Sequence, residues 1–184
     1  MTDPGREIIQ IVDRDNREIA VVARHVMREQ RLIHRASYIL VFNRTGKLFV
    51  QKRTMSKDIY PGFWDVAAGG VVLADESYEL SAARELAEEL GVKGKLQFLF
   101  DQYYEDADNR VWGRIFSCIH EGPFTLQEEE VAEGCFMGID EALALSTREP
   151  FTPDGLLLLK LSVFSSPPNS LNGWINQGTC CCQS

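Results

Sequence analysis

Three glutamates have the spacing that most clearly predicts chemistry in this sequence. Glu85, Glu88 and Glu89 lie in a segment, residues 77–90, that is rich in Ala, Leu, Glu and Arg and is followed by Gly91, so the segment predicts a helix. At about 100° per residue, Glu88 and Glu89 lie roughly 60° and 40° to either side of Glu85. We therefore expect three carboxylates on one helix face.

Carboxylates at this density need a cation. Within the helix, no Lys or Arg follows any of the three at the spacing of three or four residues that relieves like-charge repulsion. Hard divalent ions such as Mg2+ or Mn2+ take oxygen ligands, and Mg2+ commonly binds substrate phosphates as well. The alternative is a solvated acidic face, which is the ordinary role of such clusters. Leu80, Ala83, Leu86 and Leu90 lie opposite the acids, so we expect the helix to pack on a sheet with its carboxylates directed away from the core.

The helix belongs to a longer pattern. It runs Gly70, five residues, Glu76, seven residues, Arg84-Glu85-Leu86, one residue, Glu88-Glu89, one residue, Gly91-Val92. This resembles the Nudix box, G-x5-E-x7-R-E-U-x-E-E-x-G-U with U a bulky aliphatic residue, and every specified position is filled. Seven fixed identities make a chance match very rare, on the order of one in a million.

The resemblance implies a fold and an activity. The fold is α/β, a Nudix-type α/β/α sandwich with a mixed β-sheet, and the activity is metal-assisted hydrolysis of a diphosphate linkage, usually in a nucleoside diphosphate derivative. By the same resemblance, Glu85, Glu88 and Glu89 hold one or more Mg2+ or Mn2+ ions, and Arg84 orients a carboxylate through an ion pair.

The loop before the helix has implied roles as well. The resemblance makes Gly70 a position where the backbone bends and makes Glu76 a brace between loop and helix. An acid that only matches the helix dipole is an equal alternative for Glu76. The general base is expected among the glutamates of the box or in Glu128-Glu129-Glu130, a triplet that by itself indicates a solvated loop.

A wider resemblance, over residues 30–95, points to one branch of the superfamily. Gln51-Lys52-Arg53, Ser56-Lys57 and the segment 60–65 are similar to isopentenyl-diphosphate isomerases. Those enzymes use a cysteine after the Trp-containing loop and a Trp-Gly-Glu-x-Glu segment, but here the matching stretches read WDVAAGG from Trp64 and WGRIF from Trp112. Because the acid–base groups are absent, isomerase activity ranks below hydrolysis. A catalytically weak ligand-binding module is the other alternative.

Four basic residues are candidates for substrate contact. Arg110 and Arg114 flank Trp112 on one face of a predicted strand, where they could hold a diphosphate and stack a flat group. Arginines that only solubilise an edge strand are the alternative. Lys52 and Arg53 are neighbours in another strand, so we expect one to face the site and the other to face solvent.

The Cys and His residues of the chain predict no metal site. No C-x-x-C pair is present, and Cys118 and Cys135 lie in apolar stretches that indicate small buried side chains. We interpret His25 and His34 as hydrogen-bonded structural residues and His120 as a surface residue at a strand end.

Hydrophobic patterning predicts one mixed domain. We expect strands at 7–12, 18–23, 36–42, 47–53, 96–104, 110–119 and about 135–137, and helices at 77–90, 139–145 and 154–164. Residues 1–35 should form an N-terminal hairpin and connecting segment, with a lid or a dimer contact as candidate roles. Residues 36–165 should form the Nudix core, and residues 166–184 a disordered tail that ends in Cys180-Cys181-Cys182.

Composition limits the partners. The 184 residues are 45% apolar and 25% charged, which is ordinary for a soluble domain. A net charge of −8 argues against binding to nucleic acid polymers or anionic membranes. No apolar run of about 18 residues and no secretion signal is present, so a cytoplasmic location is expected. The expected partner is a small diphosphate molecule, and the sequence leaves open whether the chain forms a homodimer.

Overall fold

A β-sheet forms the middle layer of the molecule. This computed structural model describes residues 4–165, so the predicted tail lies outside the described residues. The strands are β1 (Ile8–Val12), β2 (Glu18–Ala23), β3 (His34–Phe42), β4 (Leu48–Arg53), β5 (Trp64–Asp65), β6 (Ala68–Val71), β7 (Gln97–Glu105), β8 (Arg110–Ile119) and β9 (Val131–Met137). The helices are α1 (Arg24–Glu29), α2 (Tyr78–Leu90), α3 (Ile139–Leu145) and α4 (Pro153–Ser165). Among residues 4–165, no helix is both long and apolar enough to span a bilayer.

Strand β3 is the centre of the sheet. It pairs antiparallel with β1, β4 and β6 and parallel with β8. Outside these pairs, β2 lies on β1, β7 on β8, and β9 on β4, all antiparallel. Ile39, Leu40 and Val41 of β3 are each at most 1% exposed, so this strand is buried on both faces of the sheet.

Helices cover both faces of this sheet. Ile39 and Val41 pack in one core cluster with Leu86 of α2. Leu40 points to the other face because side chains alternate along a strand, and it packs in a second cluster with Leu158 of α4. The predicted α/β/α sandwich with a mixed β-sheet is therefore confirmed.

The N-terminal segment forms the predicted hairpin and one helix that was not predicted. Strands β1 and β2 pair in antiparallel register from Ile8 opposite Ala23. Helix α1 lies in a charged stretch whose six residues are too few to show helical periodicity. Tertiary packing supports it, since Met27 is 1% exposed and clusters with Ile9 and Ile11.

Most element bounds agree with the predictions, but the short strands β5 and β6 were not predicted, and one cysteine does not lie where it was expected. Strand β8 and helix α3 span the predicted residues, whereas β9 begins at Val131, four positions before the predicted start. Cys118 is buried, as predicted. The prediction that Cys135 is buried is wrong. Strand β9 pairs with β4, and it is the neighbouring Phe136 that packs against the core cluster on the α2 side.

Candidate functional site

Helix α2 begins and ends where its sequence suggests. The Ser77 hydroxyl caps the helix by accepting a hydrogen bond from the Leu80 amide at 3.2 Å. Gly91 ends it with a φ of 68°, a left-handed conformation that glycine adopts without strain. The helix therefore holds the register that places Glu85 and Glu89 one turn apart on the same side.

The side of α2 that carries these two glutamates is buried, so the expectation that the acids point away from the core is wrong. Glu85 is 8% exposed and Glu89 is 1% exposed, whereas Leu80 is 63% exposed. The physical reason is the backbone beneath the helix. A Cβ added to Gly70 of β6 would lie 2.4 Å from Glu85 Oε1, so only glycine leaves room for this carboxylate against the sheet.

Arg84 joins three of the carboxylates. Its Nε donates to Glu76 Oε1 at 2.9 Å, and its Nη1 donates to Glu85 Oε1 at 2.7 Å and to Glu88 Oε2 at 3.0 Å. Glu76 Oε2 also accepts from the Leu73 amide at 3.1 Å. Glu76 thus connects the loop before α2 to the helix, in the arrangement expected of a brace.

Glu89 lies at the other end of the cluster and has different partners. Its Oε2 accepts from Gln51 Nε2 at 3.0 Å and from the Gly69 amide at 3.1 Å. Lys57 Nζ lies 3.8 Å from Glu89 Oε1 and forms an ion pair with Glu130. The structure therefore brings Glu76, Arg84, Glu85, Glu88 and Glu89 together and adds Gln51, Lys57 and Glu130 to them.

Gln51 and Lys57 were missed as site residues, although each had a signal, whereas Glu130 was predicted only as one of three candidates in its triplet. Gln51 and Lys57 belong to segments that carry the wider resemblance, but nothing local shows that they reach α2. Glu130 belongs to the acidic triplet. The solvated-loop interpretation fits the exposed Glu128 and Glu129 and is wrong for Glu130, which is partly buried and paired with Lys57.

The buried carboxylates repel one another. Burial raises the pKa of Glu85 to about 7, with Arg84 opposing the shift and Glu130 adding to it. Burial likewise raises the pKa of Glu89 to about 8, where Lys57 opposes the shift and Glu85 adds to it. Burial also acts on Glu130, but Lys57 outweighs it and lowers the pKa of Glu130. The cluster is a place where an added cation would be stabilised.

The donor set fits a hard divalent cation. Glu85, Glu88, Glu89 and Glu130 offer carboxylate oxygens, the ligands that Mg2+ and Mn2+ prefer. Among residues 4–165, no three acidic, histidine or cysteine side chains already converge as a finished cage. The oxygens of Glu85 and Glu89 are instead engaged by Arg84 and by Gln51 and Gly69.

The predicted arginines on β8 are engaged elsewhere. Arg114 forms two hydrogen bonds with Asp101, at 2.8 and 2.9 Å, and its guanidinium lies 4.4 Å from the centroid of the Tyr78 ring. Arg110 Nε lies 3.1 Å from Glu105 Oε1. In the part of the chain that the structure describes, neither arginine forms a hydrogen bond or ion pair with Glu85, Glu88 or Glu89.

Lys52 and Arg53 are also paired away from the cluster. Lys52 Nζ lies 5.4 Å from the centroid of the Trp64 ring and 3.8 Å from Glu133. Arg53, whose side chain is 13% exposed, lies 3.6 Å from Asp65. The ladder between β4 and β9 is irregular between Lys52 and Arg53, so simple alternation does not describe this pair.

The interpretation of His34 as a structural residue is confirmed. It is 2% exposed, and its Nδ1 lies 3.1 Å from the Leu32 carbonyl oxygen. Burial, followed by the nearby Arg28 charge, lowers the pKa of His34 to about 3. His25 is hydrogen-bonded to the Gly5 carbonyl at 2.9 Å.

Known proteins are similar to this chain in sequence and in fold. A model described as "NUDIX domain" matches residues 32–157. The Salmonella typhi protein "Uncharacterized Nudix hydrolase YfcD" is 50% identical over 159 residues, 84% of each chain. The crystal structure of DR0079 from Deinococcus radiodurans has a TM-score of 0.74 at 21% identity and covers 84% of this chain and 98% of that one. The NUDIX domain of Shewanella oneidensis NrtR complexed with ADP ribose has a TM-score of 0.58 at 19% identity and covers 71% of this chain and 86% of that one.

Proposed function

The chain belongs to the Nudix hydrolase family, and on this premise we propose that it is a Mg2+- or Mn2+-dependent hydrolase that cleaves a diphosphate linkage. The observation that carries the proposal is the cluster around α2. Two buried glutamates, Glu85 and Glu89, lie one helical turn apart against the β6 backbone, and their pKa values are raised by burial. Buried carboxylates with strongly shifted pKa values are typical of functional sites.

The proposed metal ligands are Glu85, Glu88 and Glu89. When bound, the cation would neutralise charge on the phosphoryl oxygens and orient a water for attack at phosphorus. Arg84 would keep the carboxylates aligned, since it contacts both Glu85 and Glu88. A catalytically weak binding module would gain nothing from burying these like charges, which favours an enzyme.

Glu130 is the proposed general base or further metal ligand. Its lowered pKa keeps the carboxylate charged at neutral pH, and it lies in the same group of interacting charges as Glu85 and Glu89. A glutamate of the box is the alternative base. Exchange of Glu130 for Gln distinguishes the two, because loss of a base flattens the acidic limb of the pH–rate profile.

The proposed substrate is a small diphosphate metabolite of the nucleoside diphosphate class. The Shewanella domain of similar fold was solved with ADP ribose, a molecule of this class. Lys52, Arg53, Arg110 and Arg114 remain proposed substrate contacts, and each would have to leave a carboxylate partner to reach a phosphate. A cytoplasmic location stays part of the proposal.

Within the superfamily, we place the chain in the subgroup that is similar to isopentenyl-diphosphate isomerases but lacks their acid–base groups. Gly69 and Gly70 follow Trp64 where the isomerases have their cysteine, and Arg114 lies in the segment that supplies their glutamates. Cys118 packs in the core beneath α2, and Cys135 is exposed on β9. Hydrolysis therefore remains the proposed reaction rather than double-bond migration.

The test is turnover of a panel of nucleoside diphosphate derivatives and prenyl diphosphates, followed by anion-exchange chromatography with and without Mg2+. We expect Mg2+-dependent cleavage that falls by about 100-fold or more in Glu89→Gln. Glu29→Gln, which removes an exposed carboxylate of α1, is the matched control and should keep full activity. Double-bond migration would support the isomerase instead, and tight binding without turnover would support the binding module.

A further inference from the structure

The loop between β4 and β5, residues 54–63, carries Lys57 to the carboxylate cluster. One end of the loop is tied to the segment before β9, because the Thr54 amide donates to the Glu130 carbonyl at 3.0 Å and the Ser56 hydroxyl donates to the Glu129 carbonyl at 3.0 Å. These contacts hold the loop near its start. They leave the position of Lys57 and Asp58 to be decided by other contacts.

Asp58, the residue after Lys57, is held by helix α1. Arg28 Nε donates to Asp58 Oδ2 at 2.9 Å, and Arg24 Nε lies 3.7 Å from the same oxygen. Both guanidiniums are largely buried, with side-chain exposures of 18% for Arg28 and 23% for Arg24. The Asp58 side chain is 41% exposed, but two guanidiniums share its carboxylate, and such a charge network holds its geometry better than an isolated exposed pair.

The two arginines are themselves anchored in the body of the protein. Arg24 Nη1 lies 2.8 Å from Glu7 Oε2, and Arg28 Nη1 donates to Asn109 Oδ1 at 3.3 Å. Met27, which lies between them in the helix, is 1% exposed and packs in the core cluster with Ile9 and Ile11. The helix is therefore a fixed support for Asp58.

From these contacts we propose that Asp58 is a positioning residue: its ion pairs with Arg24 and Arg28 fix the 54–63 loop so that the Lys57 ammonium stays between Glu89 and Glu130. Adjacent Cα atoms lie about 3.8 Å apart, so a fixed Asp58 restricts where Lys57 can be. The inference rests on the proposed function of the carboxylate cluster. It makes α1, which precedes the matched NUDIX residues 32–157, a part of the site's support.

The test is a double-mutant cycle between Asp58→Asn and Lys57→Met, read in kcat/KM. If Asp58 acts through Lys57, Asp58→Asn lowers kcat/KM about tenfold in the natural chain and less than twofold in the Lys57→Met background. Arg28→Met should behave as Asp58→Asn does, and Arg28→Lys should recover part of the loss. Asp15→Asn, which breaks an exposed ion pair with Arg17, is the matched control and should have no effect.

A second measurement does not depend on turnover. Hydrogen exchange of the Gly62 and Phe63 amides, which bond to the Thr54 and Tyr60 carbonyls within the loop, should become at least tenfold faster in Asp58→Asn and stay unchanged in Asp15→Asn. Equal losses of kcat/KM in both backgrounds, or unchanged exchange in Asp58→Asn, would overturn the positioning role. A natural chain that cleaves no diphosphate refutes the proposed function separately, while the exchange rates still decide whether Asp58 fixes the loop.

Discussion

At the scale of single residues, the cost of burying the Glu89 carboxylate depends on its hydrogen-bond and charge partners. An isolated buried carboxylate is costly, and Glu89 is 1% exposed. Two hydrogen bonds, from Gln51 and Gly69, and the nearby Lys57 ammonium offset part of that cost. The remaining cost appears as a raised pKa, and a cation bound at Glu89 would offset it.

His34 makes the stability of the protein sensitive to acid. Its folded pKa of about 3 lies below the ordinary value of 6.5, because burial and the Arg28 charge disfavour the imidazolium. Below pH 6.5, His34 becomes protonated in the unfolded chain but stays neutral in the folded chain until the pH approaches 3. The stability from neutral His34 is therefore complete above pH 6.5 and is lost as the pH falls toward 3.

We predict that His34→Gln reduces the acid sensitivity of folding. Between pH 6.5 and pH 4, the free energy of unfolding should fall by about 3 kcal/mol less in this variant than in the natural chain. Urea unfolding at both pH values measures the difference. His25→Gln, at an exposed histidine, should keep the natural pH dependence. Equal slopes for the natural chain and His34→Gln would show that another group is responsible.

At the scale of elements, the contact between α2 and β6 determines the geometry of the site. Ser77 and Gly91 fix the ends of the helix, and Leu86 and Leu90 fix its buried side. Gly70 then fixes how closely Glu85 approaches the sheet. The site is therefore a property of two packed elements and not of the helix alone.

We predict that Gly70→Ala disrupts the site. The added methyl group would lie 2.4 Å from Glu85 Oε1, so either the carboxylate or the helix must move. Mg2+-dependent hydrolysis should fall by about tenfold or more, because misplacing a catalytic group is costly. Steady-state kinetics measure this effect.

The control is Gly46→Ala, in the turn between β3 and β4. A Cβ there meets nothing within 4 Å, but the φ of 80° strains the backbone. This variant should lose about 1 kcal/mol of stability and keep its activity. Full activity in Gly70→Ala would mean that Glu85 does not need its present position.

At the scale of the whole molecule, the proposed metal binding at the charge cluster would be coupled to folding. The residues involved come from α2, from β4, from the 54–63 loop and from the segment before β9, and they meet only in the folded state. A ligand that binds only the folded state stabilises it, by about 2.7 kcal/mol at a concentration 100 times its Kd.

We therefore predict that Mg2+ raises the melting temperature. For a domain of this size the rise should be roughly 5–10 °C at saturating Mg2+. Differential scanning calorimetry measures it, with NaCl of equal ionic strength as the control for screening. Glu89→Gln should lose most of the rise. An equal rise in that variant would place the metal elsewhere.

The fold was predictable from the sequence where an element has a long, continuous pattern of apolar residues. The ten-residue strand β8 was predicted at its observed bounds, since its apolar and aromatic content exceeds any competing signal. Helix α1 was missed because its six residues, three of them charged, are too few to show periodicity, and the burial of Met27 depends on β1. The buried side of α2 was predicted only in part. Leu86 and Leu90 are buried as expected, but Glu85 and Glu89 were assigned to solvent from their type alone and are buried as well.

The sequence by itself determined that Glu85, Glu88 and Glu89 share one helix with Arg84, and that this helix lies in a Nudix box. Helical spacing is a local property, so neighbouring residues are enough to define it. Only the tertiary structure decided that Glu85 and Glu89 are buried, and that Lys57 and Glu130 lie beside them. Those contacts depend on strand register and loop position, which are set by packing between residues far apart in the chain.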